Sequence, residues 1–208
     1  MSSLTLAIAT GRTAKQAMAL LEKAGITFPD FHNKSRKLVM LDETEAIKLI
    51  LVKTADLPTY VEKGAADIGI IGKDIIMEEQ PDIYELVDLQ IGKCKVAVAG
   101  FPNQALQNGS PLTVATKYPF ITKSYFDEKG IRVETIKLNG SIELAPLIGL
   151  SDVIVDIVET GTTLKENGLV VLDEIMDISA RLIVNKASFA TKTVEIEQVI
   201  NQVKAALE

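Results

Sequence analysis

Residues 153–168 read VIVDIVETGTTLKENG: an apolar run that ends in acids, then small hydroxyl and glycine residues, then a polar segment. Val153 to Val158 is short, continuous and closed by a turn signal, as a buried strand of a parallel sheet reads. Thr160-Gly161-Thr162-Thr163 ends the run and opens a helix. The stretch is therefore a strand–turn–helix unit, and a chain built from such units folds as an α/β protein.

The unit recurs on both sides. LTLAIAT (4–10) reads as a buried strand, followed by Gly11-Arg12 and a helix with Ala14, Ala17, Met18, Leu21 and Ala24 on one face, stopped by Gly25. RKLVML and IKLILV (47–52) read as strands, and DLPTYVEKG (56–64) as a helix with Pro58 in its first turn. DIGIIG (67–72) is a strand that leads into the helix KDIIMEE. KCKVAVAG (93–100), LTVAT (112–116), IRVETIKL, DVIVDIV and LIVNKAS (182–188) read as strands. Helices are expected from Pro119 to Gly130, at SIELAPLIG, and from Val194 to Leu207, where Ile196, Val199, Ile200, Val203 and Leu207 share a face. Two clusters of these units, before and after about residue 92, predict two α/β lobes of mixed, mostly parallel sheet flanked by helices, with a substrate cleft between them.

Composition narrows the function. The chain has 208 residues, 47% of them hydrophobic and 24% charged, enough for a core and too apolar for disorder. A net charge of -6 argues against a nucleic-acid or membrane-surface binder, which carries a basic excess. A single cysteine, Cys94, forms no intrachain disulfide and points to a reducing compartment. MSSLTLAIATGR has no Lys or Arg before its apolar run, a poor signal peptide, and no run is long enough to span a membrane. A cytoplasmic protein is expected.

The turn at 159–163 suits an anion. The first N–H groups of a helix lack internal partners, Gly161 lets a ligand approach the backbone, and Thr160, Thr162 and Thr163 add hydroxyl donors. The plain alternative is a threonine that merely caps the helix. No Gly-Lys-Ser/Thr follows, so this is not a Walker loop. Asp152, Asp156 and Val158 share one strand face, with Glu159 on the other or already in the turn. Carboxylates beside a phosphate cradle suit a sugar phosphate, because they accept from sugar hydroxyls while the loop holds the phosphate; Asp152 reads better as a loop cap. Gly11-Arg12 at a helix start, Arg36 in SRKLV, and Gly69 and Gly72 in GAADIGIIGKD are further anion-site candidates, each weak alone. His32 is the only histidine, which leaves little for a histidine metal site or a Ser-His-Asp triad. Any metal would be Mg²⁺ arriving with substrate phosphates, and none is expected from a protein-built site.

Taken together, DLPTYVEKGAADIGIIGKD, ELVDLQIGKCKV, VATKYP, IKLNGSIELAPLIGLSDVIVDIVETGTTLKENGL and ARLIVN (180–185) resemble the short form of the ATP phosphoribosyltransferase family over nearly the whole chain. The ELAP…DxVxDxVxTGxTL pattern is the specific one. The resemblance implies a periplasmic-binding-protein-like fold, with residues 1–92 plus 183–208 as the first lobe and 93–182 as the second. It implies transfer of the phosphoribosyl group of phosphoribosyl pyrophosphate to N1 of ATP, releasing pyrophosphate, the first step of histidine biosynthesis. Glu159, Thr160, Gly161, Thr162 and Thr163 would then bind the 5-phosphate, and Glu143, Asp156 and Glu159 the ribose. Gly11, Arg12, Arg36, Gly72 and Lys73 would bind ATP, with Arg12 and Arg36 as the catalytic cations and Mg²⁺ as cofactor. The family has Lys-Gly-Arg where this chain has Thr10-Gly11-Arg12, and Lys15 or Lys73 would have to make good the missing charge. The resemblance further implies a homodimer of catalytic chains and a regulatory subunit resembling a histidyl-tRNA synthetase, together a hetero-octamer. The alternative is a non-catalytic two-lobe module that binds a small anion.

Overall fold

The structure, a computed structural model, describes residues 4–32, 37–106 and 110–208, and of Arg12 the backbone without the side chain. Arg36 and the start of the RKLVML run lie outside the described residues.

The elements in chain order are β1 (Leu4–Ala9), α1 (Arg12–Lys23), β2 (Val39–Leu41), β3 (Ile47–Val52), α2 (Leu57–Glu62), β4 (Ile68–Gly72), α3 (Lys73–Glu79), β5 (Tyr84–Asp88), β6 (Cys94–Gly100) and β7 (Leu112–Thr116). There follow α4 (Pro119–Glu128), β8 (Val133–Lys137), α5 (Leu144–Leu147), β9 (Val153–Val158), α6 (Thr162–Glu166), β10 (Val170–Ile178), β11 (Ala180–Val184), α7 (Lys186–Thr191) and α8 (Thr193–Leu207). They form two compact units, Met1–Gly92 with Ser179–Glu208, and Lys93–Ile178.

The first unit holds a sheet in the order β2-β3-β1-β4-β11-β5. β1 lies inside it, parallel to β3 and β4, which is why its sequence is an unbroken apolar run. One large apolar cluster joins β1, β3, β4 and β11 to α1 and to Ile196, Val199, Ile200, Val203 and Ala206 of α8. The second unit holds a sheet in the order β10-β6-β9-β7-β8, in which β9 lies parallel to β7 and antiparallel to β6.

Two strands are unannounced by the sequence pattern. β5 is an edge strand with four of its five residues exposed, so it lacks an apolar run. β10 pairs with β6 through two register shifts, near Leu172 and Ile175, and each shift breaks the period-2 pattern by which a strand is recognised. The run LIVNKAS does not stay extended to Ser188. β11 stops at Val184, and Asn185 caps α7 by accepting the Ser188 N–H at 2.8 Å.

Candidate functional site

In the second unit β7, β8 and β9 run parallel, so their carboxyl ends share one edge of the sheet. Open α/β sheets bind ligands beyond that edge. The turn after β9 is Glu159–Gly161, and the connection after β8 leads through Ser141 and Ile142 to Glu143 at the start of α5. Ile142 and Ala145 on one side and Leu164 of α6 on the other enter the same apolar cluster as Ile154 of β9. That shared core brings Glu143 and the 159–163 turn to the same edge.

The turn is shaped by its glycine. Gly161 is at φ +71° and ψ 6°, a left-handed conformation that an L residue adopts only under strain. A Cβ there would meet only Val158 Cγ1, at 3.8 Å, so the demand is conformational rather than steric. Gly161 occupies the cap position of α6 and no side chain caps the helix, which removes the plain reading of Thr162 or Thr163 as the cap. Thr160 Oγ1 and Thr162 Oγ1 lie 3.0 Å apart, and Thr162 N–H points to Thr160 Oγ1 at 3.4 Å. Thr160, Thr162 and Thr163 are exposed. With only five residues, α6 adds little macrodipole, so an anion there would be drawn mainly by the hydroxyl and N–H donors.

Asp156 is half-buried near the end of β9, opposite Ala97 of β6. Its Oδ1 accepts the Ile157 N–H at 2.8 Å, a local bond that uses part of its acceptor capacity. The strand is fixed just before it. Fully buried Thr116 donates its hydroxyl to the Val155 carbonyl at 2.8 Å and accepts the Tyr118 N–H at 2.8 Å. Sequence reasoning missed this positioning threonine; its signal was a hydroxyl residue at the end of LTVAT just before a Pro-led helix. Glu159 is exposed, and Glu143 is half-buried at the start of α5. Asp152 accepts the Thr113 N–H at 2.8 Å, so it clamps the start of β9 to β7.

The first unit has a matching edge, where the carboxyl ends of β1, β3 and β4 lie side by side. Gly11 and the backbone of Arg12 follow β1, and Gly72 and Lys73 close β4 and open α3. Asp74 sits where a Gly72 Cβ would stand. Lys73 Nζ is 2.5 Å from Glu85 Oε2; Arg181 approaches the same carboxylate at 3.5 Å and Asp88 at 2.9 Å. These pairs also pin the edge strand β5 to β11. The register adds a cation that the sequence reading overlooked. Thr10 N–H donates to the Val52 carbonyl at 2.9 Å, which continues the β1–β3 register and sets exposed Lys53 opposite Thr10. Only strand pairing reveals that neighbour, because 43 positions separate the two residues in the chain. His32 is exposed in a loop and Cys94 is half-buried at the start of β6. Among the described residues no three His, Cys, Asp or Glu side chains gather closely enough to hold a metal ion, and no helix is long and apolar enough to cross a membrane.

Residues 53–205 match the family model described as ATP phosphoribosyltransferase. An ATP phosphoribosyltransferase of Oceanobacillus iheyensis is 52% identical over 207 residues, covering 100% of both chains. One from a Thermoanaerobacter species is 54% identical over 211 residues, covering 100% of this chain and 98% of that one. Among solved structures, a chain of the ATP phosphoribosyl transferase (HisG:HisZ) complex from Thermotoga maritima has a TM-score of 0.84 and 34% identity, covering 98% of each chain. The periplasmic aliphatic sulphonate binding protein SsuA of Escherichia coli has a TM-score of 0.63 at 12% identity, covering 100% of this chain and 69% of that one, a likeness of fold alone.

Proposed function

The chain belongs to the ATP phosphoribosyltransferase family, and we propose that its two units divide the substrates, phosphoribosyl pyrophosphate on the second and ATP on the first. The reaction is the transfer of the phosphoribosyl group to N1 of ATP with release of pyrophosphate, in histidine biosynthesis. Relatives at 52% and 54% identity over the full chain are named for this activity, which sets aside a non-catalytic anion-binding module.

The turn at Glu159–Thr163 carries the assignment of the phosphoribosyl group. Its left-handed glycine between exposed threonine hydroxyls supports a seat for the 5-phosphate. Asp156, Glu143 and Glu159 accept from the ribose hydroxyls at the same sheet edge. Gly11, Arg12, Lys53, Gly72 and Lys73 receive the ATP phosphates, together with Arg36, and Lys53 supplies the charge absent at Thr10.

Adenine N1 is already nucleophilic, so the chain needs no strong general base. Positive charge builds on the ribose as the bond to pyrophosphate lengthens, and the carboxylates of Asp156 and Glu143 favour that charge. Arg12 and Arg36 hold the phosphate oxygens, and positioning of the bound substrates does much of the remaining work. Mg²⁺ brought in by pyrophosphate would be held mainly by the phosphate oxygens, and Glu143, Asp156 or Glu159 would be the carboxylates at this edge able to assist. When bound, Mg²⁺ neutralises charge on the leaving group. The Thermotoga relative was solved with a second kind of chain, which supports a regulatory subunit here too, resembling a histidyl-tRNA synthetase, in a hetero-octamer of the cytoplasm.

The test is pyrophosphate release by the full chain, with and without the regulatory subunit. Release should require both ATP and phosphoribosyl pyrophosphate. Lys53→Ala, Arg12→Ala and Arg36→Ala should each lower kcat/KM by about 10²-fold while the melting point holds. An arginine or lysine variant that melts early yet keeps full activity is a structural residue and leaves the ATP site.

A further inference from the structure

Of the three parallel strands in the second unit, β7 is the middle one, with β9 on one side and β8 on the other. The turns after β8 and β9 bring the acids and hydroxyls of the proposed site, and neither 138–143 nor 159–161 contains a lysine or arginine. The substrate placed there is a polyanion, and Glu143, Asp156 and Glu159 add negative charge beside it. The turn after β7, Lys117-Tyr118, leaves the same edge between the other two. Tyr118 is buried and Pro119 opens α4, so Lys117 is what brings charge to that turn.

Strand pairing fixes where the lysine emerges. β7 and β9 run in register as far as Thr116 and Val155, so Lys117 and Asp156 are the next positions on the two strands. The Thr116 hydroxyl donates to the Val155 carbonyl at 2.8 Å, and the Leu138 N–H donates to the Thr116 carbonyl at 3.0 Å. β7 is thus tied to both neighbours immediately before the lysine. Neighbouring strands lie about 4.8 Å apart, so a side chain as long as lysine reaches a ligand seated over Asp156. Lys117 is half-buried and forms no ion pair among the described residues. Its ammonium lies 5.7 Å from the centroid of the Tyr118 ring, near the outer limit of a cation–π contact, which a phosphate oxygen readily displaces. The nearest rival in the sheet is exposed Lys137, which pairs with Thr116 and shares its face, the one turned to Thr122 of α4. Asp156 shares the opposite face with Ile154, which packs with Ala145 of α5 and Leu164 of α6.

We propose that Lys117 is a further binding residue for phosphoribosyl pyrophosphate, its ammonium donating to a phosphate oxygen of the substrate and offsetting the three carboxylates. The proposal rests on the assignment of that substrate to the second unit. Calorimetric titration of the full chain tests it, with phosphoribosyl pyrophosphate, ATP, ribose 5-phosphate and inorganic pyrophosphate as ligands. Lys117→Met keeps the bulk and removes the charge, and should weaken phosphoribosyl pyrophosphate roughly 10-fold or more. Lys117→Arg should restore most of that affinity, and ATP affinity should hold in both. Lys137→Met removes the same charge from the other face of the sheet and should keep the affinity within about 2-fold. A parallel loss with ribose 5-phosphate puts the ammonium on the 5-phosphate, and one with pyrophosphate puts it on the leaving group; either supports the proposal. Thermal melts check that every variant is folded. Wild-type affinity in Lys117→Met, with affinity lost in Gly161→Val, overturns the proposal and spares the site. Wild-type affinity in both overturns the site as well. Equal losses in Lys117→Met and Lys137→Met reduce the effect to net charge and also overturn the proposal.

Discussion

At φ +71°, Gly161 holds a conformation that costs an L residue about 1–2 kcal/mol, and a β-branched residue most of all. The turn is exposed and no Cβ clash threatens the core, so Gly161→Val should lower the melting point by only a few degrees while the backbone of the turn moves. Calorimetric titration should show phosphoribosyl pyrophosphate affinity lost; unchanged affinity removes the turn from the site. A second residue-scale prediction concerns Asp173 of β10. It accepts from Tyr125 of α4 and from Lys129 just past that helix, and the Lys129 ammonium, then the Tyr125 hydroxyl, hold its carboxyl below the usual range. A carboxyl depressed in the folded state stabilises the protein above its unfolded value, and that contribution fades as pH falls through the folded value. Urea midpoints measured from about pH 6 down to about pH 3 should therefore fall more steeply for the wild type than for Asp173→Asn. The difference should be small, since this pair is partly exposed. Parallel acid limbs would contradict it.

Among the elements, the returning segment β11–α7–α8 depends on one carboxylate. Asp67 is 4% exposed and precedes β4. It accepts the Thr5 N–H at 2.8 Å, the Ser188 hydroxyl at 2.6 Å, and the Lys192 ammonium at 2.9 Å on both oxygens. Its backbone carbonyl takes the Asn185 N–H, and Asn185 Nδ2 donates to the Val61 and Glu62 carbonyls. Asp67→Ala strands a buried N–H and removes the carboxylate that holds the Ser188 hydroxyl and the Lys192 ammonium, so it should destabilise by about 3–5 kcal/mol in a denaturant titration. A loss below about 1 kcal/mol would mean that the apolar face of α8 alone holds the segment. This network also marks what the sequence could tell. The apolar runs of β1, β3, β7 and β9 and the helical face of α8 were legible because one period dominates each. The role of Asp67 was not, because its partners come from positions 5, 188 and 192 and nothing local in GAADIGIIG announces them. β10 escaped notice for a different reason: its two register shifts erase the alternation that marks a strand.

At the scale of the whole molecule, the proposed site residues come from separate βα turns, and parallel pairing within each unit places those turns at a common edge of its sheet. Local chemistry singled out 159–163 as a candidate anion turn beside the plainer reading of a helix cap, and the left-handed Gly161 at the cap position supports the first. Lys53 could not be found that way, because it becomes a neighbour of Thr10 only through the β1–β3 register. The central claim is that β9 and its turn hold the phosphoribosyl group. Asp156→Asn tests it most directly, because the amide keeps the size and an acceptor for the Ile157 N–H while removing the charge offered to the ribose. The measurement is steady-state kinetics in both substrates beside a thermal melt of the empty protein. The melting point should stay near that of the wild type, kcat/KM for phosphoribosyl pyrophosphate should fall roughly 10- to 150-fold, and ATP affinity should hardly move. A collapsed melting point in a variant whose folded fraction remains fully active would contradict the account and make Asp156 a structural residue of β9.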